Sequence, residues 1–167
     1  MKVSLNFQYP AALPEILKML ADPEYRKYRL PAGYVKDVRA TEEAPGQTRV
    51  VTDVAVDTKD LPANLPPAAL KLLPKHPTGE VTEVLRTNGP AQENCTISLK
   101  LAGIPVEVAL MMVFKDRTET TDVDLQGTIN VKIPFLGKSI ENKAVSKLGS
   151  LVKLEVAAAE KYLSEHR

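Results

Sequence analysis

The sequence predicts an α+β domain: a curved, seven-stranded antiparallel sheet wrapped around a long C-terminal helix, with two short helices after the first strand. Three observations carry this. Apolar and polar residues alternate with period two in successive segments, most clearly from Val123 to Ile133. Most of these segments are joined by connections of a few residues, the mark of an antiparallel meander. After Gly137 the period changes to that of a helix and holds almost to Arg167.

In chain order, Leu5, Phe7 and Tyr9 mark the first strand. Leu13, Ile16, Leu17 and Leu20 fall on one face of a helix whose first turn tolerates Pro14. Asp22 caps a second short helix with Pro23 in its first position, and Pro31 and Gly33 close it. Strands follow at Tyr34–Glu42, at Val50/Thr52/Val54/Val56, and more weakly from Glu80 to Thr87. Cys95, Ile97, Leu99 and Leu101 alternate with Asn94, Thr96, Ser98 and Lys100. Ala102-Gly103 turns the chain into Ile104, Val106, Val108, Leu110, Met112 and Phe114. Pro45-Gly46, Asn88-Gly89-Pro90 and Lys115-Asp116-Arg117 supply the other turns. The last helix carries Ile140, Ala144, Val145, Leu148, Leu151, Val152, Val156, Ala159 and Leu163 in one stripe. At about 45 Å it needs an apolar surface of similar length, and the sheet offers one. Between strands three and four, Lys59–Pro77 combines Pro62, Pro66, Pro67, Pro74 and Pro77 with Leu61, Leu65, Leu70, Leu72 and Leu73. Pro66-Pro67 would start, and Pro74 stop, a two-turn helix there. Such an excursion reads as a packed loop or lid.

The 167 residues fit one domain. Charge nearly cancels, 22 Lys+Arg against 21 Asp+Glu, which argues against a dedicated binder of nucleic acid or of anionic membranes. A 44% hydrophobic content with 26% charged residues argues against disorder. A single cysteine excludes a disulfide framework, and His76 and His166 leave little for a histidine metal site. The alternating N-terminus does not read as a signal peptide, and the apolar run Val108–Phe114 is too short to span a bilayer. The expected compartment is therefore the cytoplasm, with Cys95 reduced. Asn94-Cys95-Thr96 is then an accidental glycosylation match.

Chemical motifs fall away one by one. Gly137-Lys138-Ser139 lacks the earlier glycine of a phosphate loop, since Lys132 stands there, and reads as a helix entry. Cys95 lies on the apolar face of its strand and reads as core. His76 reads as a solvated loop residue and His166 as part of a fraying terminus. Asp53, Asp57, Asp60, Asp122 and Asp124 lie on solvated strand faces rather than around a metal loop. Tyr25, Tyr28 and Tyr34, with Arg26 and Arg29, read as packing residues with polar tips. No acid–base pair, catalytic triad, nucleotide loop or metal motif remains.

Phe7-Gln8-Tyr9-Pro10, the helix at Leu13–Leu20 and the step Asp22-Pro23-Glu24-Tyr25 resemble the opening of the START-like (SRPBCC, polyketide cyclase/lipid transport) superfamily. Val131-Lys132-Ile133-Pro134-Phe135-Leu136-Gly137-Lys138-Ser139-Ile140-Glu141 resembles the last strand and helix entry of an uncharacterised bacterial branch. The resemblance covers essentially the whole chain and implies a helix-grip fold. Residues 1–167 then form a single domain, with 59–78 as a proline-rich insert or lid that departs from a minimal member. In that superfamily the cavity between sheet and long helix holds lipids, sterols, polyketides or hormones, and some members are cyclases, hydrolases or partner-binding modules.

The expected function is binding or transport of a hydrophobic, lipid-like molecule in that cavity, without catalytic residues, cofactor or metal. Val54, Leu99, Leu101, Val108, Leu110, Met112, Leu125 and Ile129 are the expected lining from the sheet. Leu148, Leu151 and Val152 are expected to line it from the helix, and Leu61, Leu65, Leu70 and Leu73 to form the lid. The inward face of strands five to seven is expected to be uniformly apolar. The alternatives are a cyclase/aromatase-like enzyme on an aromatic or polyketide substrate, or a protein-interaction module. Expected partners are limited to the small molecule, with no nucleic acid and no integral membrane association, in a monomer or weak homodimer.

Overall fold

The computed structural model describes residues 1–57, 59, 67–71, 73–87 and 94–167. Each period-two segment is a strand: β1 Lys2–Tyr9, β2 Val35–Ala44, β3 Gln47–Ala55, β4 Thr78–Arg86, β5 Asn94–Leu101, β6 Ile104–Asp116 and β7 Thr121–Val131. They form one sheet in the order β1-β7-β6-β5-β4-β3-β2, with every neighbouring pair antiparallel. Strands β2 to β7 therefore run as a meander, and β1 returns to the edge of β7. The tight connections at Gly46 and Gly103 place these residues at φ 73° and 72°, a left-handed conformation that glycine adopts at little cost.

Helix α1 spans Leu13–Ala21, a single 3₁₀ turn spans Pro23–Tyr25 and α2 spans Arg26–Arg29. Asp22 caps the 3₁₀ turn by accepting a hydrogen bond from the Glu24 amide at 2.9 Å. The expected two-turn helix in the proline-rich segment is shorter, a four-residue α3 at Pro67–Leu70. Helix α4 runs from Gly137 to His166. Its entry is fixed by close contact: a Cβ on Gly137 would stand 2.0 Å from the Val131 carbonyl oxygen, so only glycine lets the helix start against the end of β7. The strand expected to continue to Ile133 accordingly ends at Val131, where the chain turns. Glu141 secures the turn by accepting the Val131 amide at 2.8 Å. Among the described residues no helix is long and apolar enough to cross a membrane.

The core is concentrated at one end of the sheet. Tyr9, Ile16, Met19, Leu20, Tyr25, Phe114, Val123 and Ala159 are buried there, where α1 packs on β3, β4 and β6 and α4 on β1 and β7. Full burial of a side chain such as Ile16 or Leu20 contributes about 1.5–3 kcal/mol. Along α4 the buried positions are Gly137 at the start, then Ala158, Ala159, Tyr162 and Leu163. The stretch between them carries the expected apolar stripe but does not close onto the sheet, leaving space beneath it.

Candidate binding cavity

That space is a cavity of about 630 Å³ between the sheet and the middle of α4. Phe7 of β1, Ile97 of β5, Leu110 and Met112 of β6 and Leu125 of β7 form its floor, and Leu148, Leu151 and Val152 face them from α4. These sheet residues share one face because the register pairs Ile97 with Leu110 and Met112 with Leu125. On the solvent side, Leu151 and Leu154 remain 54% and 61% exposed, and the exposed Lys147 stands beside them. The cavity is thus a cleft with an open rim rather than the enclosed pocket that packing of the whole helix would make.

One corner is polar. Glu83 of β4 is 2% exposed and receives two guanidinium groups from α2. Arg26 Nη2 lies 2.8 Å from its Oε2, and Arg29 Nη1 lies 2.6 Å from its Oε1. Arg29 also reaches α4, where its Nε is 2.8 Å from Glu155 Oε2 and its Nη2 donates to Glu155 Oε1 at 2.8 Å. Glu155 Oε1 accepts the hydroxyls of Tyr9 at 2.6 Å and Tyr25 at 2.9 Å. Arg26, Arg29, Glu83 and Glu155 all touch the cavity. Burial by itself would raise the Glu83 carboxyl, but Arg29 and Arg26 outweigh it and hold it below the usual glutamate value. Burial, reinforced by the Glu155 charge, pushes the Tyr9 and Tyr25 hydroxyls upward, so both are protonated donors. Two cations face two anions, and the corner carries no net charge.

Thr52 of β3, also on the cavity wall, is 2% exposed. Its Oγ1 is the buried side-chain polar atom that has no hydrogen-bond partner among the described residues.

Of the expected lining residues, Leu110, Met112, Leu125, Leu148, Leu151 and Val152 lie on this cavity. Leu99, Val108 and Ile129 form one row of the sheet register, a row nearer the Ala102-Gly103 turn, and lie off it. Val54 and Leu101 also lie off it, because they close over Gly79: a Cβ there would be 2.8 Å from Leu101 Cδ2 and 3.2 Å from Val54 Cγ2. Leu61 and Leu65 fall outside the described residues. Leu70 is exposed and Leu73 half-buried, and neither touches the cavity.

Sequence reasoning missed the polar corner. It found no acid–base pair and treated Arg26 and Arg29 as polar tips, whereas both are partners of buried carboxylates. The available signal was Glu83, an ionisable residue at an inward position between Val81 and Leu85. Cys95 is 1% exposed with its thiol pushed up to about 12 by burial, which makes it an inert core residue. The acidic residues are engaged locally: Asp53 pairs with Arg39 and Asp122 with Arg117, while Asp57 lies beyond the end of β3 rather than on a strand face and accepts the Lys59 amide. Asp60 lies outside the described residues. Asp22, Glu24 and His166 bring possible ligand atoms within 4.8 Å, but Asp22 already accepts the Glu24 amide and the Tyr162 hydroxyl.

A family model described as a protein of unknown function, DUF2505, matches residues 4–163. The chain belongs to this family. No curated protein matches the DUF2505 chain in sequence. Among solved structures it is similar to human STARD10, with a TM-score of 0.65 at 10% identity over 98% of this chain and 64% of that one. It is similar to a START superfamily protein from Mycobacterium smegmatis, with a TM-score of 0.58 at 15% identity over 96% and 98%. It is also similar to the Zhui aromatase/cyclase of Streptomyces sp. R1128, with a TM-score of 0.56 at 16% identity over 95% and 90%. This DUF2505 member therefore has the START-like helix-grip fold, with the sheet curved around α4.

Proposed function

We propose that this chain binds a hydrophobic, lipid-like small molecule in the cavity beneath α4 and carries it without chemical change. The observation that carries this reading is the apolar cleft of about 630 Å³ under a helix that packs fully only toward its C-terminal end. Its volume falls in the range of roughly 300–1,000 Å³ usual for small-molecule sites. Leaving Leu110, Leu125, Leu148 and Val152 facing solvent-sized space is unfavourable, and a hydrocarbon ligand removes that cost. The likeness to a START superfamily protein and to STARD10 supports a cavity-binding role at the level of fold. An aromatase/cyclase role would need polar groups free to act on a substrate. The carboxylates and guanidinium groups on this cavity are instead bound to one another.

Native mass spectrometry of freshly purified protein tests the reading. The expected result is a discrete added mass that organic extraction removes and that returns on incubation with extracted lipid. Protein that is free as purified and takes up no lipid would overturn it.

A further inference from the structure

We infer that the ligand of this cavity is a neutral amphiphile, an alcohol, ketone or ester, whose oxygen hydrogen-bonds Thr52 while its hydrocarbon lies along Leu110, Met112 and Leu125. This rests on the proposed binding function and specifies its ligand class. Thr52 is built into the wall of the cavity with its hydroxyl unpaired, although a buried polar atom is ordinarily satisfied. A threonine hydroxyl both donates and accepts, so a ligand hydroxyl or carbonyl oxygen completes it equally well. The oxygen itself is closed to solvent in this rotamer, so binding requires a χ1 step that carries Oγ1 to the cavity side as the ligand seats.

The same corner disfavours an ionised head group. Arg26 and Arg29 are neutralised by Glu83 and Glu155, with both carboxylates held at 2.6–2.9 Å by their guanidinium partners. A buried carboxylate from a ligand would meet two anions and no free cation there. Lys147 has no ion-pair partner among the described residues, but it is exposed at the rim, where water and salt screen it. A fatty acid must therefore leave its carboxylate at the rim, whereas a fatty alcohol seats its oxygen on Thr52.

Displacement of a bound N-phenyl-naphthylamine fluorophore by lauryl alcohol, methyl undecyl ketone and laurate at neutral pH tests this. Wild-type protein is expected to bind the alcohol and the ketone roughly tenfold tighter than laurate, the effect of one well-placed hydrogen bond. Thr52→Val keeps the shape and removes the hydroxyl. It is expected to lose that preference, its alcohol and ketone affinities falling to that for laurate, while Thr52→Ser retains it. Lys147→Met is expected to weaken laurate alone. Equal affinity of wild type for alcohol and laurate, or an unchanged alcohol affinity in Thr52→Val, would overturn the inference and leave the binding function standing. Failure of the wild-type protein to bind the fluorophore or any of the three would overturn both.

Discussion

Arg29 and Glu155 form a two-pronged ion pair, with Nε 2.8 Å from Oε2 and Nη2 2.8 Å from Oε1, and this pair fastens α2 to the long helix. The same guanidinium reaches Glu83 in the sheet, so a single side chain ties three elements together. Planar Arg–carboxylate geometry fixes orientation as well as distance. It fixes α4 at Glu155, the last residue of the cavity-lining stretch that begins at Lys147.

Glu83→Gln is expected to destabilise the fold by about 3–5 kcal/mol, because it leaves Arg26 buried without its counter-charge. Chemical denaturation monitored by circular dichroism measures this. A loss below about 1 kcal/mol, typical of a solvated surface pair, would contradict the buried geometry.

The same carboxylate sets an acid limit. Its folded pKa is depressed, so the unfolded chain takes up a proton first as pH falls. The stabilisation is complete above the ordinary glutamate value of about 4.3 and is lost as pH drops through the lower folded value. Midpoints of thermal unfolding recorded across the acid range should fall steeply for the wild type and more shallowly for Glu83→Gln. Parallel curves would exclude Glu83 as the source.

Leu148→Trp should fill the cleft from its helical side. The expected result is a loss of roughly tenfold or more in affinity for an apolar fluorophore, with Tm nearly unchanged, since the position is only half-buried. Full binding by a folded variant would move the ligand elsewhere.

Two glycines should respond in opposite directions. Gly149 in α4 is exposed and a Cβ there meets nothing within 4 Å, so Gly149→Ala should stabilise the protein by up to about 1 kcal/mol. At Gly127 a Cβ would fall 2.1 Å from the Ala109 carbonyl oxygen and 2.8 Å from Leu110 Cα. Gly127→Ala should therefore cost on the order of 3 kcal/mol, the upper end of overpacking losses. Urea midpoints of the two variants, which should move to either side of the wild type, check both.

The strands, their order along the chain and the long helix were legible because each is a local pattern. Val123 to Val131 alternates regardless of what it packs against, and the stripe from Ile140 to Leu163 needs only its own period. The cavity lining was legible in part for the same reason: Leu110, Met112 and Leu125 sit on a face that alternation reveals. Which row of that face meets open space was not legible. That depends on the gap under α4 and on Leu101 and Val54 closing over Gly79, both of which are tertiary facts. The polar corner was hidden more deeply. Arg29 and Glu155 are 126 positions apart, and no local pattern joins them. Glu83 alone gave notice, as a charge where an aliphatic residue was due.

Helix α4 is continuous in hydrogen bonding but divided in its attachment. Its last turns are anchored by Ala158, Ala159, Tyr162 and Leu163 and its first by Gly137 and Glu141, while the middle stretch from Lys147 to Leu154 lies over the cavity. Cooperative units follow such differences in burial, so the middle and the ends should exchange their amide hydrogens on separate timescales. The middle stretch is then expected to open while the anchored ends and the sheet stay folded. On the proposed binding function, the rate at which a guest enters or leaves would be set by the breathing of these few helical turns, not by the lifetime of the native state as a whole.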